Sequence, residues 1–363
     1  MTELIFLLLV VAMLVWAVAY FHLSGPDLSA FDRPAGQRFA RIGAPSAEHN
    51  AVVASLGGAT ALLKGVPRSR HIAVLREYLD NVFPVAGLSA TFTPVDAGGV
   101  RAEWVLAPGA DGSRRTLYIH GGAFVMGSPR SHRRLTTRFS ELTGGAVLAI
   151  DYRLMPEHRR VAGIEDCRTA YRWMLENGPD GPRAATAVFV AGDSAGGNLT
   201  LSLIAWVRDQ GLRAPDGAVA LSPATDSTLA SPSWKTNTAT DPMLGPLIAP
   251  LLRIPRALLL WGGWIQTRIN PRDPLVSPVY GDLSRLPPVL VQASEAEMLR
   301  DDCRRYVNRA VAAGSPVRLQ TWDHMVHVWQ IFYPDLPEGR EALEEIGRFL
   351  AEVAPVRAAG PGE

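Results

Sequence analysis

The residues Gly192-Asp193-Ser194-Ala195-Gly196 fit Gly-x-Ser-x-Gly and lie between an apolar strand pattern, Ala187-Val188-Phe189-Val190-Ala191, and a helical pattern from Asn198 to Gln210. Small residues on both sides of a serine in that context allow a sharp, strained turn that pushes Oγ into the open, where it can act as a nucleophile. A serine hydroxyl is a weak nucleophile near neutral pH. It needs an imidazole to take its proton and a carboxylate to orient that imidazole. Upstream, the strand pattern Thr116-Leu117-Tyr118-Ile119 runs into His120-Gly121-Gly122-Ala123-Phe124. Glycines there leave backbone N–H groups unshielded, as stabilising an oxyanion requires. Taken alone, a plain Gly-rich turn accounts for that stretch equally well. Downstream, the strand pattern Pro288–Ala293 ends in a loop carrying Glu295 and Glu297, with Asp301 and Asp302 opening the next helix. The last strand pattern, Val317–Trp322, leads to Asp323-His324-Met325-Val326-His327. The residues alone leave Glu295, Glu297 and Asp301 open as the acid, and His324 and His327 as the base.

The elements that must position these groups alternate. Ala146–Ile150 is a continuous apolar strand, Ile164–Leu175 a helix with one apolar face, and Ala218–Ser222 a further strand. Strand then helix, repeated, implies a mainly parallel, doubly wound sheet covered on both faces. Ligands of such sheets gather at the carboxyl ends of strands, so the turns at His120 and Ser194 should meet in space.

These motifs together resemble the hormone-sensitive-lipase-like group of α/β-hydrolases. The likeness extends to Asp151-Tyr152-Arg153-Leu154-Met155-Pro156-Glu157-His158, Gly192–Leu199 and Asp273-Pro274-Leu275-Val276-Ser277-Pro278, and covers about Thr116 to Leu350. It implies an α/β-hydrolase fold with a helical cap, and a serine carboxylesterase or lipase acting on short-to-medium acyl or lipid esters without a cofactor. A deacetylase of aryl acetates or amides, a peptidase and a non-catalytic binding protein are the alternatives. By resemblance Ser194 is the nucleophile, Glu297 stands where the family more often carries Asp, and His327 is the base. The oxyanion hole is drawn from Gly121, Gly122, Ala123 and Ala195: Gly121 shapes the turn and the other three donate N–H groups. Ala123 departs from the family's usual His-Gly-Gly-Gly; it narrows the backbone angles without removing a donor. Asp151 and His158 are expected to be structural.

The chain has 363 residues and a net charge of +1, which excludes nucleic acid as an electrostatic partner. Its two cysteines, Cys167 and Cys303, have no metal-type spacing and are expected as free, partly buried thiols. Leu4–Leu23 is almost wholly apolar, and about 20 residues at ~1.5 Å each match a bilayer core. The expectation is an uncleaved single-pass anchor, against a signal peptide cut near Ala17-Val18-Ala19 or an interfacial or buried helix. Arg33, Arg38 and Arg41 follow it, which tilts the catalytic part toward the cytoplasm. The expected organisation is an anchor at 1–23, a linker at 24–45, cap helices at 46–90, and a catalytic domain at 91–356 with a cap insertion at 225–272 and a tail at 357–363. The partners expected are a small-molecule or lipid ester and, through residues 4–23, a lipid bilayer, with a homodimer left open. The apolar run Leu244–Ile265 is expected to belong to the cap; a second membrane span is the alternative, against which its prolines and arginines count.

Overall fold

The computed structural model describes residues 1–40 and 43–356; Arg41 and the tail expected at 357–363 lie outside the described residues. Nine strands form one sheet: β1 (Gln37–Phe39), β2 (Thr91–Asp96), β3 (Arg101–Leu106), β4 (Asp111–Ile119), β5 (Gly145–Ile150), β6 (Ala187–Asp193), β7 (Gly217–Leu221), β8 (Val289–Ser294) and β9 (Val317–Trp322). Their order is β1-β9-β8-β7-β6-β4-β5-β3-β2. Neighbours from β5 to β1 run parallel. The two outer strands β3 and β2 are antiparallel.

The inner strands read as apolar runs because both of their faces are covered. Leu117, Ile119, Leu148, Ile150, Val188 and Val190 pack on one face, with Ile164, Tyr171 and Met174 of one helix, Leu199 and Leu203 of another, and Cys303 and Tyr306 of a third. The alternate residues Tyr118, Val147, Ala149, Phe189 and Ala191 pack on the other, with Leu135 and Phe139, and with Leu343, Ile346 and Phe349. The helices that carry these and the outlying segments are α1 (Thr2–Val18), α2 (Ala47–Ser55), α3 (His71–Val82), α4 (Arg133–Thr143), α5 (Arg160–Glu176), α6 (Ala195–Asp209), α7 (Arg256–Thr267), α8 (Arg300–Ala312) and α9 (Pro337–Val353). Both cysteines are free and buried.

Three findings refine the reading of the sequence. The stretch 24–45 is more than a linker: its Gln37–Phe39 pairs with Gln320–Trp322 as the edge strand, and Phe39 stacks on Trp322 with ring centroids 4.2 Å apart. Asp32 in the same stretch accepts two bonds from Arg305 of α8. The apolar run Leu244–Ile265 is broken into Gly245–Ile248, Leu251–Arg253 and the start of α7, with Pro246, Pro250 and Pro255 at or beside the starts of these pieces. Among the described residues one helix, Thr2–Leu23, is long and apolar enough to cross a membrane.

Candidate active site

The turn at Ser194 follows directly from the residues beside it. The serine has φ 52° and ψ −113°, a strained conformation between the end of β6 and the first turn of α6. Its N–H donates to the Leu221 carbonyl at 2.7 Å, which fixes the turn against β7. A Cβ at position 196 would lie 1.9 Å from the Ile119 carbonyl oxygen, and one at 192 would lie 2.6 Å from it. Only glycine lets the α6 N-terminus come this close to the end of β4, so the two expected turns do meet.

A second link joins them. The Gly121 N–H donates to Asp193 Oδ1 at 3.1 Å, and the Tyr118 hydroxyl donates to the same oxygen at 2.9 Å. The Gly121 donor is therefore used inside the fold, in keeping with a turn-shaping role. The N–H groups of Gly122, Ala123 and Ala195 make no hydrogen bond among the described residues. Gly122 has φ 111°, while Ala123 and Phe124 have φ 54° and 63°, so two successive non-glycine residues sit in the left-handed region. Each such residue costs on the order of 1–2 kcal/mol, which the surroundings must hold in place.

They do so from several sides. Met155 N–H donates to the Phe124 carbonyl at 2.9 Å. The Arg160 guanidinium lies 3.3 Å above the Phe124 ring centroid and donates to Asn198 Oδ1 at 2.8 Å. Arg76 of α3 donates to the Val125 carbonyl at 2.7 Å and the Met155 carbonyl at 3.0 Å, and pairs with both oxygens of Glu157. A residue far upstream thus ties the glycine-rich loop to the loop that follows β5.

On the other side of Ser194, the chain brings together one acid and one imidazole. His327 Nε2 lies 2.9 Å from Ser194 Oγ, and its Nδ1 lies 2.6 Å from Glu297 Oε2. Glu297 is fully buried, and its other oxygen accepts the Ser294 N–H at 2.8 Å. Burial on its own would lower the His327 pKa; the hydrogen bond and charge of Glu297, helped by Asp241 and Asp193, outweigh it and raise the pKa above the ordinary value. The alternatives are placed elsewhere. His324 is exposed at φ 63°, while Glu295 pairs with Arg304 and Asp301 with Arg300 and Arg304. Asp151 pairs with Arg101 at 2.8 Å, and His158 is exposed.

The acid loop is held by the insertion at 225–272. Asn237 donates to the carbonyls of Glu295 and Glu297, both at 2.9 Å, and Asp241 accepts the Met298 N–H at 2.9 Å. At its root, Asn198 of α6 donates to the carbonyls of Ala224 and Val276. Ser277 of the Asp273–Pro278 segment accepts the Ser227 N–H at 2.7 Å, tying the start of the insertion to the segment that follows it.

One contributor carried no sequence signal. His132, in the polar run Pro129–Arg134, is buried with Nε2 3.3 Å from Asp193 Oδ2. Burial would raise the Asp193 pKa, but His132 and Tyr118 lower it overall; burial likewise opposes, without overcoming, the rise that Asp193 imposes on His132. His120, by contrast, is pushed down to about 3 by burial and by the neighbouring His132, and remains neutral under a Tyr152 ring 4.3 Å away.

The site contains a strained serine, an imidazole bonded to it, a buried carboxylate behind the imidazole, and backbone N–H groups without internal partners. Comparison with known proteins bears on the family and the fold. A profile for the alpha/beta hydrolase fold matches residues 116–331. The chain is 41% identical over 257 residues to an acetyl-hydrolase of Streptomyces hygroscopicus, covering 70% of this chain and 81% of that protein. It is 31% identical over 277 residues to the carboxylesterase/phospholipase LipF of Mycobacterium tuberculosis, covering 73% of this chain and 70% of the relative. Among solved structures, an esterase from the bacterial hormone-sensitive lipase family superimposes with a TM-score of 0.73 at 36% identity, covering 85% of this chain and 99% of that one.

Proposed function

Because the chain belongs to the hormone-sensitive-lipase-like family of α/β-hydrolases, among esterases and acetyl-hydrolases, we propose that it is a serine carboxylesterase in which Ser194, His327 and Glu297 act as one relay. The observation that carries the reading is the unbroken line of hydrogen-bond distances, 2.6 Å from Glu297 to His327 and 2.9 Å from His327 to Ser194. Ser194 Oγ attacks the ester carbonyl carbon while His327 Nε2 takes its proton. The carbonyl oxygen, now negative, is held by the N–H groups of Gly122, Ala123 and Ala195, each worth about 10²–10³ in rate. The imidazolium returns its proton to the departing alcohol. Water, deprotonated by the same nitrogen, then attacks the acyl-serine; the acid leaves and Ser194 recovers its hydrogen. Glu297 accepts the hydrogen bond from Nδ1–H and keeps the ring oriented.

The helices at 46–90 and the insertion at 225–272 form the cap in this reading, and residues 4–23 anchor the protein in a bilayer with the catalytic part on the cytoplasmic side. Short-to-medium acyl or lipid esters are the substrate class. Similarity to an acetyl-hydrolase favours the short end as a second reading, in which acetyl esters or amides are cleaved. The test is a chain-length series of p-nitrophenyl esters and matching anilides on the purified protein, beside fluorophosphonate labelling of the wild type and Ser194→Ala. The reading expects labelling and turnover that both vanish in Ser194→Ala; equal labelling of the two proteins overturns it. A rate maximum at acetyl with anilide cleavage selects the second reading.

A further inference from the structure

We infer that the cap helix α7 is a second membrane-contacting element: with the end of α1 it forms one apolar surface that sits in the lipid, so the insertion at 225–272 rides on the bilayer. The inference rests on the anchor reading above and extends it to a surface remote in sequence.

The first observation is where α1 touches the rest of the protein. Trp261 Nε1 of α7 donates to the Val15 carbonyl at 3.0 Å. Ala19, Leu23 and Leu260 are buried together, with Ala257, Trp261 and Trp264 packed against them. Asn270 donates to the His22 carbonyl at 2.9 Å. The contact therefore begins at Val15, well inside the apolar run rather than beyond its end. The segment free of α7, Thr2–Leu14, is about 20 Å long at ~1.5 Å per residue, short of the ~30 Å of a hydrocarbon core. If the bilayer takes up the whole run to Leu23, it must take up α7 as well. If it takes up only the free part, α7 lies at the boundary.

The composition of α7 suits either depth. From Ala257 to Thr267 it carries no charge, and Leu258, Gly262 and Ile265 fall on one face at helical spacing. Leu258 is 52% exposed and Ile265 54%, and the neighbouring Leu247, Leu251 and Ile254 are exposed too. Arginines bracket the helix: Arg253 precedes it, Arg256 is its first residue, and Arg268 and Arg272 follow. An apolar face with tryptophans and basic ends is the pattern of a helix lying at the headgroup boundary, where arginine meets lipid phosphate. The aromatic residues Trp16, Tyr20 and Phe21, all exposed, stand at the same end of α1.

The experiment places an environment-sensitive nitrobenzoxadiazole label on the full chain at Leu9→Cys, Leu258→Cys or, as a remote exposed control, Val311→Cys. The native cysteines are buried and do not compete for the label. In vesicles of mixed phosphatidylcholine and phosphatidylglycerol, labels at 9 and 258 are expected to shift to the blue and to be quenched by doxyl lipid, while the label at 311 is not. A label at 258 that behaves like the one at 311 while that at 9 is quenched overturns the inference and leaves the anchor standing; labels at 9 and 258 that both stay in water overturn both. In a second measurement, Leu258→Glu with Ile265→Glu is expected to lower hydrolysis of a vesicle-embedded ester by at least about fivefold while leaving that of p-nitrophenyl acetate unchanged. Equal rates on the embedded ester count against the surface. Loss of turnover on both substrates in the wild type would instead sink the esterase reading, which the label positions do not depend on.

Discussion

At the scale of single residues, the proposed pairing of Glu297 with His327 as the base makes a prediction about pH. The buried carboxylate raises the imidazole pKa against the effect of burial, and the base works only when neutral, so kcat/KM is expected to fall as pH drops through a value above the ordinary imidazole ~6.5. In Glu297→Gln the largest raising cause goes, while burial remains opposed only by Asp241 and Asp193, so the acid limb should move to lower pH. The rate at its plateau should fall by about 10²–10⁴, as for loss of the orienting acid in a serine triad. A pH–rate profile of the two proteins checks both the direction and the loss; an unmoved limb would assign it to another group. Ala123 belongs to the same scale. It keeps the backbone donor at a φ of 54° that glycine would reach more easily, so the strain is borne by the loop around it.

At the scale of elements, the glycine-rich loop depends on a helix far upstream of it that is not its neighbour in sequence. Arg76 of α3 reaches the carbonyls of Val125 and Met155, and Glu157 holds its far end. Arg76→Ala is expected to lower kcat by about 10-fold or more with a smaller change in KM, because a loosened loop misplaces donors that matter most in the transition state. A KM-only effect in steady-state kinetics would assign Arg76 to substrate contact. The glycines of two helix starts and interiors also differ. Gly196→Ala puts a methyl onto the end of β4 and should leave little folded protein, whereas at Gly263, in the interior of α7, nothing lies within 4 Å of an added Cβ. Gly263→Ala should raise stability by about 0.5–1 kcal/mol in a denaturant melt.

For the whole molecule, α1 is a docked element and its fate affects α7. The Ala17-Val18-Ala19 stretch that would suit a signal cleavage site lies on the helix packed against α7, with Ala19 buried. Removing residues 2–23 would bare Leu260, Trp261 and Trp264. We expect N-terminal sequencing of the membrane-bound protein to find the chain uncut before Tyr20. A mature chain starting near Tyr20 would mean that α7 loses much of its packing and that the anchor is absent.

Local chemistry made part of this protein readable from its sequence. The alternation of apolar strands and helices gives the parallel sheet because buried strands on both faces leave an unmistakable run of apolar residues, and the glycines beside Ser194 mark a backbone approach that only they allow. The resemblance of several ordered motifs pointed to Glu297 and His327, and the structure sets those two side chains in line with Ser194. Tertiary structure alone decided the rest. His132 reaches Asp193, Arg76 reaches the glycine-rich loop, Gln37–Phe39 completes the sheet, and Trp261 caps a carbonyl of α1. Each is a long-range pairing of a polar group or a short segment, whose partner is fixed by where the folded chain passes and leaves no periodic trace along the sequence.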